Sequence, residues 1–138
     1  MIQINDLIDV CFDAGKEILE IYEKTDIVVK YKSDNSPLTL ADQKSHECIS
    51  SSLKALYPNI PILSEEGLEI PYKERKEWNS FWLIDPIDGT KEFIKKNGEF
   101  TVNIALIHNQ KPVLGIVYAP VFDKYWYGSE EGSFVINN

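Results

Sequence analysis

At 138 residues, with 43% hydrophobic and 26% charged side chains, the chain has the size and make-up of one soluble globular domain, neither disordered nor fibrous. Its net charge of -8 argues against a nucleic-acid polymer as partner, because such binding needs surplus Lys and Arg to displace counterions, and it suits divalent cations instead. The opening Met1 to Asp6 lacks the basic start of a signal peptide and no apolar run is long enough for a transmembrane segment, so a cytoplasmic location is expected, with peripheral membrane association left open.

The apolar residues Ile4, Leu7, Ile8, Cys11, Gly15, Ile18 and Tyr22 recur at three- and four-residue steps and predict an amphipathic helix that serves packing. Cys11 and Cys48 fall in helix-like patterns and form no CxxC pair, so reduced core thiols are expected rather than a disulfide or metal ligands. Ile27 to Tyr31 reads as a short strand and Lys32 to Pro37 as a turn, with Lys32 an ordinary solvated lysine. Thr39 to Asp42 opens a second helix, striped by Ile49, Leu53 and Leu56 and stopped at Tyr57-Pro58. The Thr39 and Asp42 spacing fits a capping box. Asp42 is also in phase with the apolar stripe, where a carboxylate needs a partner, so it is a cap, an inward-facing acid, or both. His46 shares that face and is read as a hydrogen-bonded core residue.

Ile60 to Leu63 reads as a strand ending at Ser64-Glu65-Glu66-Gly67, Leu68 to Ser80 as an exposed excursion or short helix, and Phe81 to Ile84 as a buried strand. Lys91 to Lys96 looks like a short helix stopped by Asn97-Gly98. The period then changes to two: Phe100 to His108, Pro112 to Tyr118, Lys124 to Tyr127 and Ser133 to Ile136 read as four strands joined by short turns, an antiparallel meander. The expected class is α+β, two N-terminal helices packed on a mostly antiparallel sheet whose far face is left bare.

The chemistry concentrates in Trp82 to Thr90. Two strands end in acids, at Glu65 and Asp85, and Asp88 follows three residues further along what reads as a turn. Carboxylates and backbone carbonyls are the ligands Mg²⁺ prefers, so Glu65, Asp85, the carbonyl of Ile87 and Asp88 are candidates to hold one or two ions. Carboxylates this close raise one another's pKa unless a cation neutralises them. Gly89-Thr90 begins a helix, whose free N–H groups favour a phosphate. The competing structural reading of Asp-Pro-Ile-Asp-Gly-Thr is a proline turn followed by a helix cap.

Asp85 to Thr90, with Ser64-Glu65-Glu66 upstream, resemble the lithium-sensitive, magnesium-dependent phosphatase family that includes inositol monophosphatase and fructose-1,6-bisphosphatase. Within it, Asn35 to Thr39, Ala41-Asp42, Asp88 to Lys95 and Asn97 to Leu106 resemble the CysQ branch of 3'(2'),5'-bisphosphate nucleotidases; an inositol phosphatase would carry Thr-Asn-Phe at Lys91-Glu92-Phe93. The resemblance implies removal of the 3'-phosphate from adenosine 3',5'-bisphosphate, a small-molecule phosphate ester of sulfur assimilation. It implies Mg²⁺ on Glu65, Asp85, Ile87 and Asp88, with Li⁺ as inhibitor. Glu65 and Thr90 would position and help deprotonate the attacking water with Asp42 behind Thr90, while Asp88 and the Ile87 to Thr90 backbone meet the substrate. Family members are about twice this long, and their second half supplies a further metal-binding aspartate in a Trp-Asp-x-Ala-type motif that has no counterpart here. Residues 1–138 are therefore expected to be a single metal-binding domain, the N-terminal half of the layered fold without its C-terminal domain. Two other readings compete: a non-catalytic, self-associating module forming a homo-oligomer through the open sheet face, and an inositol or sugar monophosphatase.

Overall fold

The computed structural model describes residues 2–24, 28–34 and 37–138. Ile27 of the expected first strand and Asn35-Ser36 of the expected turn and family motif lie outside the described residues. Helix α1 (Ile4–Tyr22) matches its expected span and buries Leu7, Val10, Cys11, Ala14, Gly15, Ile18 and Ile21. Gly15 permits a close approach: a Cβ there would stand 2.6 Å from Tyr118 Cε2. Strand β1 (Val29–Tyr31) pairs antiparallel with β2 (Pro37–Thr39), a strand not anticipated, as a separate two-stranded sheet.

Helix α2 (Leu40–Leu56) starts at Thr39 with the capping box the spacing predicts. Its stripe departs from expectation at Leu56, which is exposed while Ile49 and Leu53 are fully buried. Tyr57, the next residue, packs its ring against Trp82 in its place, with centroids 5.7 Å apart. Both cysteines are free thiols, Cys11 buried and Cys48 half-buried. Burial, with the nearby Cys48, pushes the Cys11 thiol far above its ordinary value, which leaves it inert.

The main sheet runs in the order β3 (Ile62–Ser64), β4 (Ser80–Asp88), β5 (Thr101–His108), β6 (Lys111–Ala119), β7 (Lys124–Ser129), β8 (Gly132–Asn137). Only the β3–β4 pair is parallel; β4 to β8 form the antiparallel meander. Residues 109 and 110 both adopt positive φ, the geometry of a tight two-residue hairpin between β5 and β6. The excursion before β4 holds one helical turn, α3 (Tyr72–Arg75). Helix α4 (Thr90–Lys95) follows β4 and ends at Lys96 in the left-handed region, one residue before the expected Asn97-Gly98 stop. Lys96 Nζ donates to the carbonyl of Tyr22 at 2.7 Å and also to that of Lys24, which closes the end of α1 against α4.

Helices α1 and α2 cover one face of the sheet, α1 over β5 and β6 and α2 over β4. The core between them holds Leu7, Ile18, Ile49, Leu53, Trp82, Phe93, Val102 and Ile104. On the opposite face, register aligns Asp85, Asn103, Val117, Trp126 and Val135 in one cross-strand row, next to a row of Leu83, Ala105, Gly115 and Gly128. Leu83, Val117, Trp126 and Val135 on that face are 44%, 37%, 37% and 52% exposed, so its apolar surface lies open. The expected buried strand at Phe81 to Ile84 is buried on one face only. Trp82 and Ile84 point into the core while Leu83 faces outward, as period-two geometry requires.

Candidate functional site

The expected turn after Asp85 is not a turn. Strand β4 continues through Pro86 to Asp88, with Asp85 paired to Asn103 and Asp88 paired to Thr101. Three steps along β4 therefore match two along β5, which is a β-bulge holding one extra residue. In a regular strand two residues three apart face opposite sides, whereas here Pro86 and Ile87 are both buried and the surplus residue returns Asp88 to the side of Asp85. Proline fits in this strand because the bulge leaves its missing N–H without consequence for the ladder. Ser45 of α2 fixes the bulge by donating its hydroxyl to the Pro86 carbonyl at 2.8 Å.

Beside it, the Glu65 N–H donates to the Ile84 carbonyl at 3.2 Å and carries the parallel ladder one residue past β3, which sets Glu65 next to Asp85. Ser64 Oγ braces the turn beneath: it pairs with His46 Nδ1 at 2.8 Å and accepts the Glu66 N–H at 3.3 Å. His46 is accordingly the hydrogen-bonded residue that was expected, and burial lowers its pKa.

Glu65, Asp85, Ile87, Asp88, Gly89 and Thr90 line one hollow of about 210 Å³, together with Lys32, Lys91 and Glu92. The three carboxylates predicted as metal ligands, Glu65, Asp85 and Asp88, therefore border the same hollow. Ile87 contributes to the wall although its side chain belongs to the core. Glu65 and Asp85 also border a second hollow of about 470 Å³, with Leu63, Leu83, Asn103 and Ala105, on the open face of the sheet. Gly89 sits at φ 98° with no room for a side chain, since a Cβ would come within 3.1 Å of the Glu99 carbonyl oxygen. Its own carbonyl accepts the Phe93 N–H at 2.9 Å and starts α4.

Asp42 lies behind this wall, fully buried. Its Oδ2 accepts the Thr39 N–H at 2.9 Å and the Thr39 hydroxyl at 2.6 Å, while its Oδ1 accepts the Thr90 hydroxyl at 2.8 Å. Of the alternatives for Asp42, both hold at once. Each carboxylate oxygen serves one role.

Two groups at the site escaped the sequence reading. Lys32 is no solvated loop lysine: its Nζ lies 2.6 Å from Glu66 Oε1 and 3.6 Å from Glu65 Oε1. Burial alone would lower its pKa, but the hydrogen bond and charge of Glu66, with Glu65 and Asp42 behind, hold it above the ordinary lysine value. The Glu66 side chain, only 4% exposed, is pushed up by burial against the opposing pull of Lys32. Asn103 is the other, with Nδ2 3.1 Å from Asp88 Oδ2.

The hollow is electrostatically unbalanced. Burial, then the hydrogen bond and charge of Glu65, then the charges of Asp88 and Glu66, push the Asp85 carboxyl up to about 8. Asp85 Oδ1 is buried with no hydrogen-bond partner. Among the described residues no three carboxylate, histidine or cysteine side chains converge into a preformed metal cage. An orphaned hard oxygen beside two further carboxylates still fits Mg²⁺, which takes one or two protein carboxylates and completes its shell with water and substrate phosphate.

The profile of the inositol monophosphatase family matches residues 3–138. The 3'(2'),5'-bisphosphate nucleotidase CysQ of Shigella flexneri is 52% identical over 124 residues, covering 87% of this chain and 48% of that protein. The crystal structure of CysQ from Bacteroides thetaiotaomicron superposes with a TM-score of 0.81 at 44% identity, covering 99% of this chain and 50% of that one. The lithium-soaked inhibitory complex of Staphylococcal inositol monophosphatase-1 gives 0.82 at 25% identity, covering 96% and 50%. The chain spans about half the length of the relatives it matches. With the family profile matching nearly every residue and the fold superposing on a solved relative, the chain belongs to the inositol monophosphatase family.

Proposed function

We propose that the chain carries the metal-binding part of a magnesium-dependent phosphomonoesterase that removes the 3'-phosphate from adenosine 3',5'-bisphosphate. The observation that carries this reading is that Glu65, Asp85 and Asp88 line one hollow with Gly89 and Thr90, and that Asp85 keeps a buried oxygen without a hydrogen-bond partner. Identity to CysQ proteins supports the nucleotide as substrate.

In this reading Glu65, Asp85, the Ile87 carbonyl and Asp88 hold one or two Mg²⁺, which supply Lewis acidity that lowers the pKa of the attacking water and offsets charge on the leaving oxygen. The Gly89 and Thr90 amides hold the phosphate. Glu65 and the Thr90 hydroxyl orient the water, and Asp42, by accepting the Thr90 proton, leaves the hydroxyl oxygen to accept from that water. Lys32 offsets the negative charge of Glu65 and Glu66 and keeps their turn in place. Li⁺ is expected to inhibit.

The test measures phosphate release from adenosine 3',5'-bisphosphate and from inositol phosphate, with Mg²⁺ and with and without Li⁺. It uses the chain as it stands and the chain joined to the second half of the Shigella flexneri relative. Nucleotide-selective, lithium-sensitive turnover by the joined protein, lost in D85N, supports the reading. Preference for inositol phosphate moves it to the sugar phosphatases, and absence of turnover on either substrate overturns it.

The open apolar face bearing Leu83, Val117, Trp126 and Val135 favours a second reading, a self-associating module that buries this face against another copy. Sedimentation of a V117E/V135E variant tests it. A wild-type chain that stays monomeric at high concentration removes it.

A further inference from the structure

We propose that Asn103 is a positioning residue that holds Asp88 in its cation-binding orientation, an inference that rests on the metal-site reading above. Register seats Asn103 directly opposite Asp85 and two residues from Thr101, the partner of Asp88. Its amide has a determined orientation. Thr101 Oγ1 donates to Asn103 Oδ1 at 3.0 Å, and Nδ2 donates to Asp88 Oδ2 at 3.1 Å. A carboxylate cannot donate, so Asp88 accepts only from the NH₂ side of the amide, and the Thr101 hydroxyl, able to donate or accept, donates to the Oδ1 that this leaves facing it.

Three consequences follow for Asp88. One oxygen is committed to the amide, which leaves Oδ1 as the oxygen for a cation. The exposed carboxylate loses rotamer freedom before a cation arrives, so less entropy is lost on binding. The amide also offsets part of the repulsion among Asp88, Asp85 and Glu65 without bringing in a competing positive charge. Partners of this kind behind a ligand commonly change metal affinity by about 10- to 100-fold. A tie that merely joined β4 to β5 would leave cation affinity unchanged.

The experiment titrates Mn²⁺, as a paramagnetic probe for Mg²⁺, into the 138-residue chain and follows free Mn²⁺ by electron paramagnetic resonance. N103L, of similar size but with no donor, is expected to bind about 10-fold more weakly. T101V, which removes the donor that steadies Oδ1 of the amide, is expected to lose about 3-fold. In a D88N background N103L should add no further loss, since Asn103 acts through Asp88. Equal affinity of N103L and wild type, or losses that add fully in the double variant, overturns the assignment while the metal site stands. If N103L fails to fold, T101V decides: wild-type affinity there overturns the assignment. A wild-type chain that takes up no Mn²⁺ at millimolar concentration overturns the metal-site reading and this inference together.

Discussion

Thr90 donates its hydroxyl to Asp42 at 2.8 Å, joining the first turn of α4 to the first turn of α2 across 48 residues of sequence. The same carboxylate caps its own helix through Thr39. Removing it with D42A therefore unmakes a cap and a tertiary hydrogen bond together and leaves three donors facing a buried gap. A loss of about 2–4 kcal/mol is expected, against about 1 kcal/mol for T39A and for T90V, measured by urea unfolding. T90S should keep the bond and most of the stability. Equal losses for D42A and T39A would show that the link to Thr90 contributes nothing.

Lys32 and Glu66 form the second long-range polar tie. In K32M the nearly buried Glu66 carboxylate loses its cation, so the chain should lose about 1–3 kcal/mol at neutral pH. The double variant K32M/E66M should regain part of that, because no unpaired charge is left in the pocket. Thermal unfolding at pH 7 distinguishes the two. A double variant weaker than K32M alone refutes the account.

The raised Asp85 carboxyl links stability to pH. Its folded value, about 8, lies above its ordinary 3.8, so the folded chain holds a proton that the unfolded chain releases. That contribution is complete at acid pH below 3.8 and disappears as pH rises through 8. Without divalent cation, the melting temperature of wild type should fall relative to D85N between pH 5 and pH 8.5. Mg²⁺ at pH 8.5 should restore it in wild type and not in D85N, because a cation favours the ionised form. Parallel curves for the two proteins would remove Asp85 as the source.

Gly15 is expected to resist replacement for a reason helix propensity does not anticipate. Alanine is better than glycine in a helix by about 1 kcal/mol, yet the added methyl would meet the ring of Tyr118. That ring cannot easily move: Phe12 packs on its edge at 5.1 Å, and its hydroxyl donates to Asp123 at 3.1 Å. Overpacking of this kind costs about 1–3 kcal/mol, so G15A should be net destabilising by denaturant unfolding, and Y118L should relieve it. A more stable G15A would mean that the helix shifts freely over β6.

The helices and the meander were legible because burial on one face stamps a period on the sequence, 3.6 for α1 and α2 and two for β5 to β8. The acids of the site were legible because each follows an apolar run that reads as a strand, although Asp85 lies inside β4 and only Asp88 ends it. Lys32 was not, since its partner Glu66 is 34 residues away and an isolated lysine in a turn carries no local mark. Asn103 was hidden for a similar reason, as one polar residue in an alternating strand looks like an ordinary outward position. The path of β4 was misread at Pro86, where a proline between two acids has the composition of a turn; only pairing with β5 reveals a strand that continues.

The surplus residue at Pro86 and Ile87 acts on the chain as a correction of parity. Asp85 and Asp88 are an odd number of steps apart, so an ideally paired strand would place one acid in the open and drive the other into the hydrocarbon of the core. Adding a single residue to β5 opposite, between Thr101 and Asn103, would let the sheet zip into regular pairing, with every strand intact and the two carboxylates on opposite sides of it. The molecule would keep its shape and lose its ability to gather charge. This divides the tolerance of the chain: a substitution at this place tests chemistry, whereas a change of length by one tests whether there is a site at all.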